Sequence, residues 1–453
     1  MEIKVKLAPV LEKSGAMEQA AKLREEILNT KDELTRDTMY YVSNNGDDNN
    51  DGLSPETPFK TIDKVNAIPG GQYLVRFERG SVFRLTDNLC LRGSVNYGAY
   101  GEGPKPQLLG SERDYADPSI WTYENNDIWS TELKTERAGS MNFNNDTYIG
   151  VSKYEFSQIE EDGDYFHDHE NGRVYLKLSN GNPGEVFDNI EIGTTGALFK
   201  AWNVNNIKID NLCFKYGTQA GIGTADCADV HITNCEFSWI GGFYHNVPHR
   251  FGNAVEFWYR GYSSSVKHCW FNQIYDAALT YQGFGPSETI FKDIHFEENL
   301  IEYCSMNFEF WTTRINNDGS KCPGGKMHGM RFVDNILRGA GYGWGGVQRP
   351  SKPDQAFLLS WGRKFNNDDI KNFYITDNIF DCADCSMFHC VPPSEQKGFY
   401  VRHNSYYQKK PTGICDHNHI VWYLNLDAAN QEEFEYAINK FDDNPDHIEW
   451  LEY

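Results

Sequence analysis

Ile375-Thr376-Asp377-Asn378-Ile379-Phe380 is one copy of a pattern that returns along the second half of the chain. An apolar residue is followed two positions later by a polar one, three later by Asn or Cys in most copies, and five later by an aromatic or aliphatic one. Upstream the frame reads Phe332-Val333-Asp334-Asn335-Ile336-Leu337 and Phe296-Glu297-Glu298-Asn299-Leu300-Ile301. Downstream it reads Val401-Arg402-His403-Asn404-Ser405-Tyr406. Three earlier copies start at Ile209, Ile232 and Val266, with Leu212, Cys235 and Cys269 at the Asn position. Successive starts are 23, 34, 30, 36, 43 and 26 residues apart.

A segment that alternates at period two and returns every 23 residues or more reads as one strand of a stacked coil, the excess length going to loops. Asn at one register on consecutive coils predicts a ladder of side-chain amides, each bonded to the next rung about 4.8 Å away. Cys235 and Cys269 continue that file as small buried residues. A β-sandwich with variable loops has no need of one residue type at one register in four copies. The expected class is all-β, a parallel β solenoid.

Working outward, residues 1–37 form a helical segment, because Met17, Ala20, Ala21, Leu23, Ile27 and Leu28 recur at helical spacing. Residues 38–112 open the solenoid with strand-like runs between turn formers. Residues 113–200 read as an inserted small β unit carrying Trp121, Trp129 and the alternating Val174-Tyr175-Leu176-Lys177-Leu178. Residues 201–420 are the repeating coils, and the acidic residues 421–453 are a C-terminal cap.

Composition narrows the function. Of 453 residues, 40% are hydrophobic, 14% aromatic and 24% charged, which excludes a disordered or collagen-like chain. No run reaches the roughly 18 apolar residues of a membrane span. With 42 Lys+Arg against 65 Asp+Glu the net charge is −23, a field that repels phosphate backbones and speaks against a nucleic-acid partner. The 11 cysteines include one C-x-x-C, Cys382 and Cys385, with no second pair at zinc-site spacing, so neither metal nor cofactor is expected. Many unpaired thiols and no signal-like pattern in residues 1–10 point to a reducing, cytoplasmic compartment. Asp47-Asp48-Asn49-Asn50-Asp51-Gly52 matches the first half of a calcium loop. Pro58 stands where the bidentate Glu is needed, so a turn is expected there.

Two further stretches carry a family resemblance. Tyr41-Val42-Ser43-Asn44-Asn45-Gly46-Asp47-Asp48, Asp51-Gly52-Leu53-Ser54-Pro55 and Pro58-Phe59-Lys60-Thr61-Ile62, followed by Arg79-Gly80-Ser81-Val82-Phe83-Arg84, resemble the opening of right-handed parallel β-helix proteins. The coils after residue 200 resemble the same superfamily, which includes pectate lyases, polygalacturonases and β-helical glycosidases. The resemblance implies a right-handed coil and a carbohydrate-active protein with its site on the outer face of one parallel sheet. It covers residues 40–110 and 200–410, and it leaves the reaction open because the scaffold hosts several chemistries.

A second file of strands lies between the repeats: Gly252-Asn253-Ala254-Val255-Glu256-Phe257-Trp258, Asp276-Ala277-Ala278-Leu279-Thr280-Tyr281-Gln282 and Ser305-Met306-Asn307-Phe308-Glu309-Phe310-Trp311. Gly341-Tyr342-Gly343-Trp344 and Cys385-Ser386-Met387-Phe388-His389 read as the next two. With Val255, Phe257, Leu279, Phe308 and Phe310 inward, alternation turns Glu256, Thr280 and Glu309 outward in one column and Trp258, Gln282 and Trp311 in another. Carboxylates beside indoles suit sugar rings, which stack on the indole while the acids bond hydroxyls or move protons. The candidate catalytic groups are Glu256, Asp276 and Glu309. Trp258, Thr280, Gln282, Trp311, Trp344, Arg349, Asp354 and His389 are candidate sugar contacts. His245, His249 and Arg314 are further groove candidates, Arg314 as a partner for a uronate carboxylate.

The reading that follows is a glycoside hydrolase acting on a short oligosaccharide or glycoside. A polysaccharide lyase or uronate epimerase on the same scaffold is the alternative, weakened because the outward column offers no Lys or Arg base. A non-catalytic glycan-binding protein is the alternative from another class.

Overall fold

The computed structural model describes residues 3–453 except residues 137, 246–248, 284–286, 313–319, 321–323, 349–354, 361–368 and 412–418, and except the side chains of residues 244–250. Each copy of the repeat turns a corner. Its polar position is left-handed in all seven copies, with φ of 58° at Asn211, 52° at Asn234, 53° at His268, 54° at Glu298, 57° at Asp334, 61° at Asp377 and 60° at His403. One left-handed residue bends the strand sharply, and short polar side chains tolerate that conformation best, which accounts for the Asn and Asp bias.

Strands on either side of these corners stack into parallel faces. The first face runs through Ala197–Trp202, residues 220–225 and 253–258, Ala277–Gly283, Met306–Thr312, Ala356–Leu359, Ser386–His389 and His419–Val421. The second runs from Asn205–Asp210 through Thr289–Glu297, Arg331–Val333 and Phe373–Thr376 to Phe399–Arg402. The long strands Ala220–Thr233 and Asn253–Lys267 bend round the corner and serve both. A third face carries Cys213–Lys215, Glu236–Ser238, Trp270–Asn272, Leu300–Glu302, Ile336–Arg338, Ile379–Asp381 and Ser405–Lys409.

The interior is filled by like on like. Phe214, Phe237 and Phe271 stack at 4.9 Å with rings 8° and 6° from parallel, and Phe380 lies 5.4 Å from Tyr406. The predicted amide ladder is present. Nδ2 of Asn299, Asn335 and Asn378 each donates to Oδ1 of the next Asn at 2.9, 2.9 and 3.0 Å. Asn299 Oδ1 accepts from Cys269 N at 3.0 Å, and Asn404 Nδ2 closes the series on Asp442 at 2.8 Å. Every rung is buried, so each amide is satisfied by its neighbour rather than by water.

The helix Ile62–Ala67 lays Ile62 and Val65 over one end of the core, and Gln431–Ile438 lays Phe434, Ala437 and Ile438 over the other. The helix Met17–Leu28 lies on the third face, where Ala16, Ala20 and Ile27 meet Leu300 and Ile336. It is tied there by buried charges: Asp381 accepts from Gly15 N and Ala16 N at 2.9 Å, Arg338 bridges Asp381 and Glu302, and Arg24 reaches Glu302.

Two small sheets stand outside the solenoid, built from strands between Thr122 and Ile192, with Lys6–Leu7 added to one of them. Ala197–Trp202, which straddles the boundary drawn from sequence at residue 200, is one strand of the first face, parallel to residues 220–225. The turn at residues 47–52 uses its acids internally. Asp47 accepts from Asn49, Asp48 from Lys60 N and Thr61, and Asp51 from Leu53 N and Thr57.

Candidate active site

The first face brings the two glutamates into one file. Glu256 pairs with Thr280, and Thr280 with Glu309, on adjacent parallel strands. Trp258, Gln282 and Trp311 form the neighbouring file in the same register. Val255, Phe257, Leu279, Phe308 and Phe310 are in the core beneath, which turns the acids outward. Two rungs separate Glu256 from Glu309, so their Cα atoms lie about 9–10 Å apart.

The two acids have different surroundings. Glu256 keeps a partly exposed edge on a cleft, while its carboxyl is enclosed by protein and accepts from Asn253 Nδ2 at 2.9 Å. Burial pushes that carboxyl up to about 7; hydrogen bonds from Asn253 and Trp258 oppose the rise and the nearby Asp276 adds to it. Glu309 accepts from Gln282 Nε2 at 2.7 Å and from Trp311 Nε1 at 3.0 Å, so each of its oxygens takes an N–H donor. Between them the Thr280 hydroxyl is buried and has no partner among the described residues. Asp276 is buried just before the middle strand, with its backbone N–H on Gly252 and its carbonyl on Met306 N–H.

The cleft beside Glu256 has a volume of about 220 Å³ and is lined by Lys200, Trp202, Gln219, Gly223, Trp258 and Tyr259 among others. The file of Glu256 continues into it: Lys200 pairs with Gly223, and Gly223 with Glu256. Gly223 leaves this end open, since a Cβ there would lie 3.1 Å from Glu256 Oε1. Trp202 is 59% exposed and meets Tyr259 edge-on at 5.8 Å.

The sequence reading missed Lys200 and Trp202 because the boundary drawn at residue 200 cut their strand in two. The alternation Phe199 in, Lys200 out, Ala201 in, Trp202 out was the available signal. Lys200 also corrects the expectation that the outward file lacks a cation.

Trp344 is corrected too. It is 1% exposed, lies on the short helix Trp344–Gln348, and packs against Trp239 and Tyr275 at 6.0 and 5.1 Å. It is a core indole and not a groove wall. His389 continues the file of Glu309 through Leu359, and its buried ring stacks on Trp422 at 4.1 Å. Arg349, Asp354 and Arg314 lie outside the described residues, as do the side chains of His245 and His249. The expectation of unpaired thiols is corrected at Cys385, which is disulfide-bonded, while eight other cysteines, Cys382 among them, are free. The bond removes one argument for a reducing compartment. No helix among the described residues is long and apolar enough to cross a membrane.

Comparison with solved structures bears on the scaffold. The structure of XylC in complex with xylose superposes with a TM-score of 0.50 at 10% identity, covering 82% of this chain and 68% of that one. The fold is that of the right-handed parallel β-helix proteins. Weaker likenesses include a glycoside hydrolase (TM-score 0.44, 9% identity, 91% of this chain and 96% of that). A GH136 lacto-N-biosidase from Eubacterium ramulus gives a TM-score of 0.41 at 13% identity, over 84% of this chain and 67% of that. No protein-family model matches the chain, and no curated protein sequence matches it.

Proposed function

We propose that this β-helix is a glycoside hydrolase whose acid is Glu256 and whose base is Glu309. The observation that carries the reading is the contrast between two carboxyls in one file. Glu256 is enclosed and holds its proton to about pH 7, while Glu309 sits under two N–H donors. Environments that divide two acids in this way assign one to protonate the leaving oxygen and the other to act as an anion. Their two-rung Cα spacing of about 9–10 Å is compatible with carboxyls roughly 6.5–9.5 Å apart, the separation that leaves room for a water in an inverting mechanism. The Thr280 hydroxyl on the rung between them can orient that water. Burial keeps the Glu256 acid protonated, and the neighbouring Asp276 adds to the effect. Trp258, Trp311 and the exposed Trp202 offer indole faces for sugar rings. XylC, which holds xylose, shows that a related scaffold can take a sugar.

A screen of aryl glycosides and oligosaccharides tests this. Turnover is expected, with Glu256→Gln and Glu309→Gln each lowering kcat by about 10²–10⁴. The first-formed product, followed by NMR, is expected to have the inverted anomeric configuration. Turnover that survives amides at Glu256, Asp276 and Glu309 together refutes the assignment.

Lys200 on the same file gives the lyase reading a specific footing, as a lysine whose neutral amine can take the proton from the carbon next to a uronate carboxylate. That reading predicts an unsaturated, ultraviolet-absorbing residue at the new non-reducing end, where hydrolysis leaves a saturated one; both reactions leave a reducing end on the other fragment.

A further inference from the structure

The cleft beside Glu256 has more chemistry than hydrolysis of a neutral sugar requires. Lys200 faces it from the same outward file, two rungs from Glu256 and so about 9–10 Å away at Cα. The ammonium has no hydrogen-bond or ion-pair partner among the described residues. This matters in a chain with 65 acidic residues against 42 basic ones. On the neighbouring strands Arg260 is paired with Asp226 at 2.7 Å, Lys267 with Glu298 at 2.7 Å and Lys326 with Glu288 at 2.8 Å. Lys200 differs from these in facing the cleft that holds Glu256.

The surroundings give the cleft the dimensions and walls of a sugar subsite. Gly223, on the rung between Lys200 and Glu256, contributes no side chain and leaves room for the Glu256 carboxyl to lean over it toward Lys200: a Cβ there would lie 3.1 Å from Oε1. Trp202 and Tyr259 supply an aromatic wall on the neighbouring file, and Gln219 adds an amide. A volume of about 220 Å³ takes one pyranose ring and a substituent.

We infer that Lys200 makes this cleft a subsite for a sugar carrying an anionic group, a carboxylate or a sulfate ester, adjacent to the bond at Glu256. The inference rests on the proposed glycan-cleaving reading for the position of the bond, and on the cleft alone for the charge preference. The anionic group sits against the ammonium while the ring lies along the Trp202 wall. The glycan then runs along the solenoid axis, across the rungs. An ammonium whose only role was to tune Glu256 would alter proton affinity without sorting substrates by charge.

The test separates binding from turnover. The Glu256→Gln, Glu309→Gln double variant is applied to an array of uronate-bearing, sulfated and uncharged oligosaccharides, with and without Lys200→Met. Binding of anionic glycans is expected, weakened about tenfold or more by Lys200→Met, restored by Lys200→Arg and diminished by added salt. Uncharged glycans are expected to be indifferent to the substitution. The uronate and sulfate arms identify which anion is read. Lys200 is exposed, so its replacement spares the fold, and a matching thermal transition confirms this. No binding of anionic glycans, or equal losses for charged and uncharged ones, overturns the subsite. Failure of the hydrolase reading shows separately, as an absence of turnover in the unmodified protein while charge-selective binding persists.

Discussion

At the level of single residues, the site depends on a carboxyl kept protonated by enclosure. Glu256 takes up its proton more readily folded than unfolded, so its contribution to stability is complete below the ordinary carboxylate value of about 4.3 and is lost as pH rises through about 7. Glu256→Gln is therefore expected to raise Tm relative to the unmodified protein at pH 8 and to leave the difference small at pH 4, as measured by calorimetry across that range. As the proposed acid, the same group is expected to set an alkaline limb of kcat/KM near pH 7; a limb that persists unchanged in residual Glu256→Gln turnover assigns it to another group. Trp311→Phe removes one donor from Glu309 while keeping an aromatic ring. A loss of about 1.5–3 kcal/mol for such a charged hydrogen bond corresponds to a ten- to hundredfold fall in kcat, with KM little altered. Trp344→Ala, by contrast, opens a cavity in the core and is expected to cost about 3–5 kcal/mol in urea unfolding without changing the affinity of the folded protein for sugar.

At the level of elements, the corners and the ladder carry the register that aligns Glu256 with Glu309. Asn335→Ala takes the Oδ1 acceptor from the Asn299 backbone N–H and side-chain amide, and leaves Phe296 O and Asn378 Oδ1 one donor short, all inside the core. A loss of about 1–3 kcal/mol follows from stranding such groups, read from the urea midpoint. The corners and ladder were legible from the sequence, because period-two alternation and a repeated Asn are local signals that survive long, variable loops. The file of Glu256, Thr280 and Glu309 was legible for the same reason. The strand Ala197–Trp202 was not, because it precedes the first clear copy of the repeat and follows a non-solenoid unit. The glycine-rich run around Trp344 was misread because small residues permit strand and helix alike; Gly341 at φ 82° starts a turn that leads into a helix and sends the indole inward. Nor could the sequence show that Arg338, Glu302 and Asp381 meet at the docked N-terminal helix, since Asp381 lies 43 residues beyond Arg338. Arg338→Met leaves two buried carboxylates facing one another, and the expected cost is about 3–5 kcal/mol, measured by chemical unfolding.

At the level of the whole molecule, parallel stacking converts separation along the chain into adjacency across a face, which is how residues 256 and 309 come to lie in one file two rungs apart. The same stacking leaves open hydrogen-bonding groups only at the two terminal rungs, and the helix Gln431–Ile438 covers one of them. That helix covers an adhesive surface as well as an apolar one. Asp442 receives the last amide of the Asn file, and Phe441 lies flat on Phe388 at 4.0 Å. A chain ended at residue 427 would present a bare amide, a row of unmet strand donors and acceptors, and a greasy disc of rings. Each is the complement of a freshly cut rung on another copy. Such shortened molecules are expected to pair through their bared ends, a dimer seen by sedimentation whose share grows with concentration and which stops at two because the helix Ile62–Ala67 still covers the other end.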